Sequence, residues 1–160
     1  MNQRVGIGYD AHQLITGRKL ILGGVEISHE TGLLGHSDAD VLTHAIIDAL
    51  IGAMAAGSIG EFFPDNDQAY KDINSLILLE KINTELKNRH YKIINIDSII
   101  VAEKPKLTPH IPEMRQTLAK TLGLSTSEIS VKAKTTETMG FEGRREGMSS
   151  QAVVLIAQTD

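Results

Sequence analysis

The chain has 160 residues, a formal net charge of −4, 41% hydrophobic residues and 22% charged ones, which suits one folded domain with its own core. That balance, with three Phe, three Tyr and no Trp, argues against a nucleic-acid-binding surface as its main business. The absence of cysteine excludes disulfides and thiolate metal ligation.

The longest apolar run, from Ala45 to Ile59, is interrupted by Asp48, Gly52 and Gly57, so no membrane span is expected. The N-terminus lacks the basic and apolar regions of a secretory signal, and a cytoplasmic location is the expectation. Residues 3–12 read as a strand. Residues 19–28 read as two short strands punctuated by glycine, and 38–54 as a helix, with Ser37 as N-cap and Asp40 as its capping-box-like partner. A tight turn at 58–63 leads to Pro64-Asp65. A second helix is predicted over 73–89, with Leu76, Leu79, Ile82 and Leu86 as its buried stripe. Residues 92–103 form an Ile- and Val-rich strand. Pro105, Pro109 and Pro112 bracket a loop that opens a third helix to about Leu122, and Gly123 suits its C-terminal stop. Strands at 129–136 and 151–157 complete the pattern. Interleaved strands and helices without a linker predict a single layered domain over 1–160, of the α/β or α+β kind.

The chemistry gathers near the start. On a regular strand Asp10 and His12 project from one face. On the first helix His44 falls one turn after Asp40, and Asp48 one turn further, as a polar row on an otherwise apolar element. His36 and Ser37 stand just before the helix, where unpaired backbone N–H groups favour anions. Asp and His are ordinary ligands of a borderline divalent metal, and three of them with a fourth position open make a catalytic site. Composition and spacing thus point to a metal or phosphate site without naming a reaction.

Three later segments carry usable polar groups. Ala102 to His110 leaves a strand through a lysine-bearing loop, which can present backbone groups or be a plain strand–helix connection. Lys132 to Thr138 ends a strand in hydroxyls and a carboxylate, suited to phosphate and a hard cation or simply to an edge strand. In Met139 to Gly147 the arginines can bind an oxyanion or pair with Glu142 and Glu146.

Taken together the motifs resemble one family, the 2-C-methyl-D-erythritol 2,4-cyclodiphosphate synthases of the non-mevalonate isoprenoid pathway. The landmarks run in family order: Gly-Tyr-Asp-Ala-His at 8–12, Leu-Ile-Leu-Gly-Gly-Val at 20–25, and Gly-Leu-Leu-Gly-His-Ser-Asp-Ala-Asp at 32–40. Then come His44-Ala45, Ile59 to Asp65, Pro105-Lys106-Leu107, Lys132 to Glu137, and Gly140 to Arg144. The resemblance implies an α+β fold with a layered sheet, helices on one face, and the sheets of three subunits packed around a threefold axis. It implies a cyclising, CMP-releasing lyase acting on 4-diphosphocytidyl-2-C-methyl-D-erythritol 2-phosphate. Asp10, His12 and His44 match the zinc ligands (or those of another divalent transition metal). Thr135 matches a diphosphate contact, and Glu137 the ligand of Mg²⁺ or Mn²⁺.

The same resemblance puts His36 and Ser37 near the erythritol phosphate, and Ser58, Gly60, Phe63 and Asp65 around that moiety. Ala102, Pro105, Lys106 and Leu107 match the cytidine pocket. The family is a homotrimer with active sites between subunits, and Phe141 and Arg144 match residues near a central cavity able to hold an isoprenoid diphosphate. Asp40 and Asp48 are then candidates for orienting a metal-bound imidazole. Two positions depart from the pattern: Ser58 stands where many members carry Asp, and Lys134 where many carry Thr. Two other functional classes compete: a zinc phosphohydrolase using water, and a non-catalytic isoprenoid-diphosphate binder.

Overall fold

The computed structural model describes residues 2–159. Its strands are β1 (Gln3–Thr16), β2 (Leu20–Leu22), β3 (Val25–Ile27), β4 (Thr31–Leu33), β5 (Tyr91–Val101), β6 (Ile129–Lys134) and β7 (Gly147–Gln158). The helices are α1 (Val41–Ala53), α2 (Ile59–Phe62), α3 (Ser75–Asn88), α4 (Ile111–Leu122) and α5 (Gly140–Gly143). A five-stranded sheet runs in the order β4–β1–β7–β5–β6, and β2–β3 forms a separate hairpin. Among the described residues only the β5–β6 pair is parallel, joined by a crossover through α4. The fold is α+β, as expected. No helix among the described residues is long and apolar enough to cross a membrane.

The close approach of α1 to the sheet positions the site. Every second residue of β1 faces α1, and two of these are Gly6 and Gly8. A Cβ on Gly6 would lie 1.9 Å from the Ala49 carbonyl oxygen, and one on Gly8 would lie 2.0 Å from that of Ala45. Ala45, Ala49 and Ala53 recur one turn apart, so a stripe of small residues lies directly on the glycines. Except for Asp48 and Gly52, α1 is buried along its length. The same face of β1 continues through Asp10 and His12.

On the opposite face of the sheet an apolar patch along β1 and β7 is open. Val5, Ile7, Tyr9 and Val153 are 67%, 69%, 53% and 45% exposed. Val5 pairs with Leu155 and Ile7 with Val153, so the apolar side chains are contiguous.

Several boundaries differ from the sequence reading. α1 begins at Val41, and its N-cap is Asp40, whose side chain accepts from the Thr43 N–H at 3.0 Å. Ser37 is not the cap: Ala39 adopts φ 57° between it and the helix. The buried face of α3 comprises Ser75, Leu78, Leu79, Ile82, Asn83 and Leu86. Leu76 turns instead toward the Gly23–Gly24 turn. β7 starts four residues before the predicted strand because Ser149 and Ser150, which resemble loop, are buried with their hydroxyls satisfied. Ser150 donates to the Ile99 carbonyl at 2.8 Å and Ser149 to Glu142 at 2.7 Å. β4 was not predicted; its three residues pair with the end of β1, which runs to Thr16 rather than 12.

Candidate active site

Asp10 and His12 project from β1 toward His44 on α1. Asp10 Oδ2 lies 2.8 Å from His12 Nε2 and 3.0 Å from His44 Nδ1, and the two ring nitrogens are 3.2 Å apart. Four ligands around a metal at about 2.0–2.1 Å in tetrahedral array stand about 3.3 Å from one another. The spacing of the triangle therefore fits a small divalent cation, which Asp10, His12 and His44 would hold. Two imidazoles and a carboxylate suit a first-row transition metal. This is the one cluster of potential metal ligands found among the described residues.

The electrostatics match that role. Burial pushes the Asp10 carboxyl up, but hydrogen bonds with His12 and His44 outweigh it and hold its pKa at about 2. Burial likewise opposes charge on His44, yet Asp10, by hydrogen bond and by charge, raises its pKa, with Asp40 and Asp38 adding to the field.

The far side of the His44 ring is also engaged. Nε2 lies 3.1 Å from Ser37 Oγ and 2.9 Å from Ser75 Oγ. Neither Asp40 nor Asp48 takes the orienting place proposed for it. Asp40, fully buried, accepts from Gly23 N–H at 2.9 Å, Gly24 N–H at 2.7 Å, Thr43 N–H at 3.0 Å and the Thr43 hydroxyl at 2.7 Å. It pins the β2–β3 turn to the start of α1. Burial and the Asp38 charge push its carboxyl up, against the hydrogen bonds from Thr43 and Gly24. Asp48 is half-buried and lines the cleft, without a hydrogen bond to His44. Sequence reasoning missed Ser75, which opens α3, and Arg18. The Arg18 guanidinium donates to the carbonyls of Gly35 at 3.3 Å and Ser37 at 2.7 Å, holding the loop that carries His36.

A cleft of about 430 Å³ opens over the triangle. Of the predicted residues, His36, Ser37, Gly60, Phe63 and Asp65 line it with Asp10, His12 and His44. His36 Nε2 lies 2.8 Å from the Asp67 carbonyl, and Phe63 packs edge-on against Tyr70. Ser58 lies just outside, exposed, donating to Glu61 at 3.4 Å. The other predicted residues are not gathered there. Ala102 and Leu107 are buried, at 6% and 3% exposed. Pro105, which follows a cis peptide bond, and Lys106 border a second cleft with Lys104 and Arg145. Thr135 donates to Glu137 at 2.5 Å on an exposed turn where Glu137 has φ 51°. Arg144 pairs with Glu146 at 2.9 and 3.1 Å, while Phe141 is half-buried.

A family model described as the YgbB family matches residues 3–157. The 2-C-methyl-D-erythritol 2,4-cyclodiphosphate synthase of Syntrophomonas wolfei is 58% identical over 155 residues, 97% of this chain and 99% of that protein. The chain belongs to the 2-C-methyl-D-erythritol 2,4-cyclodiphosphate synthase family. The synthase of Desulfitobacterium hafniense is 57% identical, across 97% of this chain and 98% of its own. Among solved structures, the bifunctional IspDF of Campylobacter jejuni superimposes with a TM-score of 0.95 at 40% identity, covering 99% of this chain and 43% of that one. The CDP complex of Plasmodium falciparum IspF gives 0.88 at 31% identity, covering 99% and 98%.

Proposed function

We propose that the cleft above Asp10, His12 and His44 is the catalytic centre for the synthase reaction. That reaction converts 4-diphosphocytidyl-2-C-methyl-D-erythritol 2-phosphate to 2-C-methyl-D-erythritol 2,4-cyclodiphosphate and CMP, within non-mevalonate isoprenoid precursor synthesis. The observation that carries the site assignment is the ligand triangle at the floor of a cleft lined by His36, Ser37 and Asp65.

The chemistry is an intramolecular phosphoryl transfer. An oxygen of the 2-phosphate bonds to the β-phosphorus, the bond from that phosphorus to the bridging oxygen breaks, and CMP leaves with the electron pair. No strong base is needed; the reaction needs alignment and charge neutralisation. Asp10, His12 and His44 would hold Zn²⁺ or a similar transition-metal ion, and Glu137 a Mg²⁺ or Mn²⁺. Such ions supply charge neutralisation and alignment of attacking and leaving oxygens. His36 and Ser37 orient the erythritol phosphate from the loop clamped by Arg18. Gly60, Phe63, Asp65 and the neighbouring Ser58 shape the wall around the erythritol moiety. Thr135 offers its hydroxyl to the diphosphate.

Ala102, Pro105, Lys106 and Leu107 form the cytidine pocket, the buried pair through backbone groups. In this reading that pocket and Glu137 come from a neighbouring subunit. The exposed Val5, Ile7 and Val153 face supports this, because an apolar patch of this kind marks an interaction surface. Burying that face in a homotrimer would bring the two halves of the site together. It would also set Phe141 and Arg144 near a central cavity for an isoprenoid diphosphate.

The test is product identity. The purified protein, stripped with chelator and then reloaded with Zn²⁺ and Mg²⁺, is incubated with substrate and followed by ³¹P NMR. Cyclic diphosphate and CMP in equal amounts are expected from the reloaded protein, and neither from the stripped one. Inorganic phosphate in their place would point to a hydrolase.

A further inference from the structure

We propose that Ser75 and Asp38 are positioning residues that commit His44 to bind metal through Nδ1, by fixing its proton on Nε2. The inference rests on the site reading above and goes past it to the residues that set the ligand atom.

The direction of the Ser75 hydrogen bond follows from donor counting. The Asp38 carboxylate has no proton to give. It accepts the backbone N–H of Ser75 at 3.0 Å, the N–H of Asp40 at 3.1 Å and the hydroxyl of Ser75. The one hydroxyl proton of Ser75 is therefore spent on Asp38. Its oxygen faces His44 Nε2 at 2.9 Å with lone pairs only, and the contact forms only if Nε2 carries the proton. Ser37 Oγ, 3.1 Å from the same nitrogen, already accepts the Ala39 N–H at 3.2 Å and has a lone pair left to share it. Nδ1 keeps its lone pair, and it is Nδ1 that points into the triangle with Asp10 and His12.

The arrangement extends a familiar device. A metal-ligating histidine usually donates its other N–H to a carboxylate, a backbone carbonyl or a water, which fixes tautomer and ring orientation. Here a buried hydroxyl stands between ring and carboxylate. Ser75 is 0% exposed at the first turn of α3, so solvent cannot substitute for it. Asp38 in turn donates its own N–H to the Ile73 carbonyl at 3.0 Å. The chain Asp38–Ser75–His44 thus ties a ring on α1 to the start of α3.

The test uses the full-length protein loaded with ¹¹³Cd²⁺, with ¹⁵N-labelled histidine. His44 should show metal coupling at Nδ1 and a slowly exchanging Nε2–H. Ser75→Ala should weaken Cd²⁺ affinity by about 10–100-fold, the range for loss of an outer partner, and speed Nε2–H exchange. Ser75→Thr, which keeps the hydroxyl, should restore both. Asp38→Asn puts an amide N–H toward the Ser75 oxygen, frees the hydroxyl to donate to Nε2, and should weaken Cd²⁺ binding similarly. Coupling at Nε2 in the wild type would overturn the proposal without any variant having to fold. So would wild-type affinity and exchange in folded Ser75→Ala. A wild-type protein that binds no Cd²⁺ through Asp10, His12 and His44 would instead overturn the site reading beneath it.

Discussion

Asp10, His12 and His44 stand on β1 and α1, partly or fully buried and in contact with one another, whereas Thr135, Glu137 and Arg144 stand exposed on or beside short turns. The first group is placed by the protomer's own core: the glycine stripe of β1 sets the helix at the distance that lets the three side chains meet. The side-chain hydrogen bonds of the second group are to close sequence neighbours, Thr135 with Glu137 and Arg144 with Glu146. The difference teaches that one half of the proposed site is assembled by the protomer's own core, while the other half is left on exposed turns, unassembled with it. It also separates two kinds of mutational effect: damage to the first half reaches stability, and damage to the second leaves the fold intact.

The largest effect is expected from Gly8→Ala. The new Cβ meets backbone oxygen and nitrogen of α1, so no side-chain rotation relieves it. A loss of about 3 kcal/mol, a Tm lower by roughly 6–12 °C, is expected in thermal unfolding, together with loss of metal. An unchanged Tm would break the claim that this contact sets the ligand geometry.

Next comes Glu137→Gln. Turnover should fall about a hundredfold or more through lost charge stabilisation, with stability within about 0.5 kcal/mol of wild type. Co-expression with His44→Ala sharpens the comparison. If the halves meet between subunits, mixed assemblies of two inactive variants regain intact sites, up to about a quarter of the total at equal mixing. No recovery in demonstrably mixed assemblies would place both halves in one chain.

How legible this was in the sequence depended on the kind of constraint. Chemically distinctive residue types, at spacings that suit a strand and a helix, pointed to a metal or phosphate site, but the choice of Asp10, His12 and His44 among its candidates came from the family resemblance. The roles of Asp40 and Ser37 were misread because a polar residue before a helix looks the same whether it caps that helix or faces a ligand. Only the positive φ of Ala39 and the N–H groups of Gly23 and Gly24 decide between them. Ser75 carried no local signal, since its partner is a side chain 37 residues earlier. A signal did exist for the strand–helix contact: glycine at alternate positions of β1, answered by alanine at every fourth position of α1.

A smaller effect concerns pH. In the metal-stripped protein the raised pKa of His44 means that its pairing with Asp10 stabilises the fold fully below about pH 6.5, the unfolded value. That part is lost as pH rises through the folded pKa of His44. The Asp10 part runs the other way: it is present above about 3.9, the unfolded value, and is lost as pH falls toward about 2. Because metal must displace the His44 proton, affinity should fall at least about tenfold per pH unit below that pKa. Titrations of Zn²⁺ binding between pH 5 and 8 check this, and a flat profile would remove His44 from the ligand set.

The smallest effect is expected at Ser58. Its hydroxyl reaches Glu61 at 3.4 Å and stands outside the cleft, so it does little for stability. Ser58→Asp introduces the residue that the resemblance leads one to expect there, but sets a second carboxylate beside Glu61, which resists any turn of the new side chain in that direction. One added hydrogen bond to a substrate hydroxyl is worth about 1 kcal/mol, and repulsion removes part of it. KM should therefore change by no more than about threefold, with kcat unaltered. A fall in KM of tenfold or more would show that this wall of the cleft is as well placed as the metal triangle, and that the division between an assembled half and an unassembled half runs further out than the loop at 58–65.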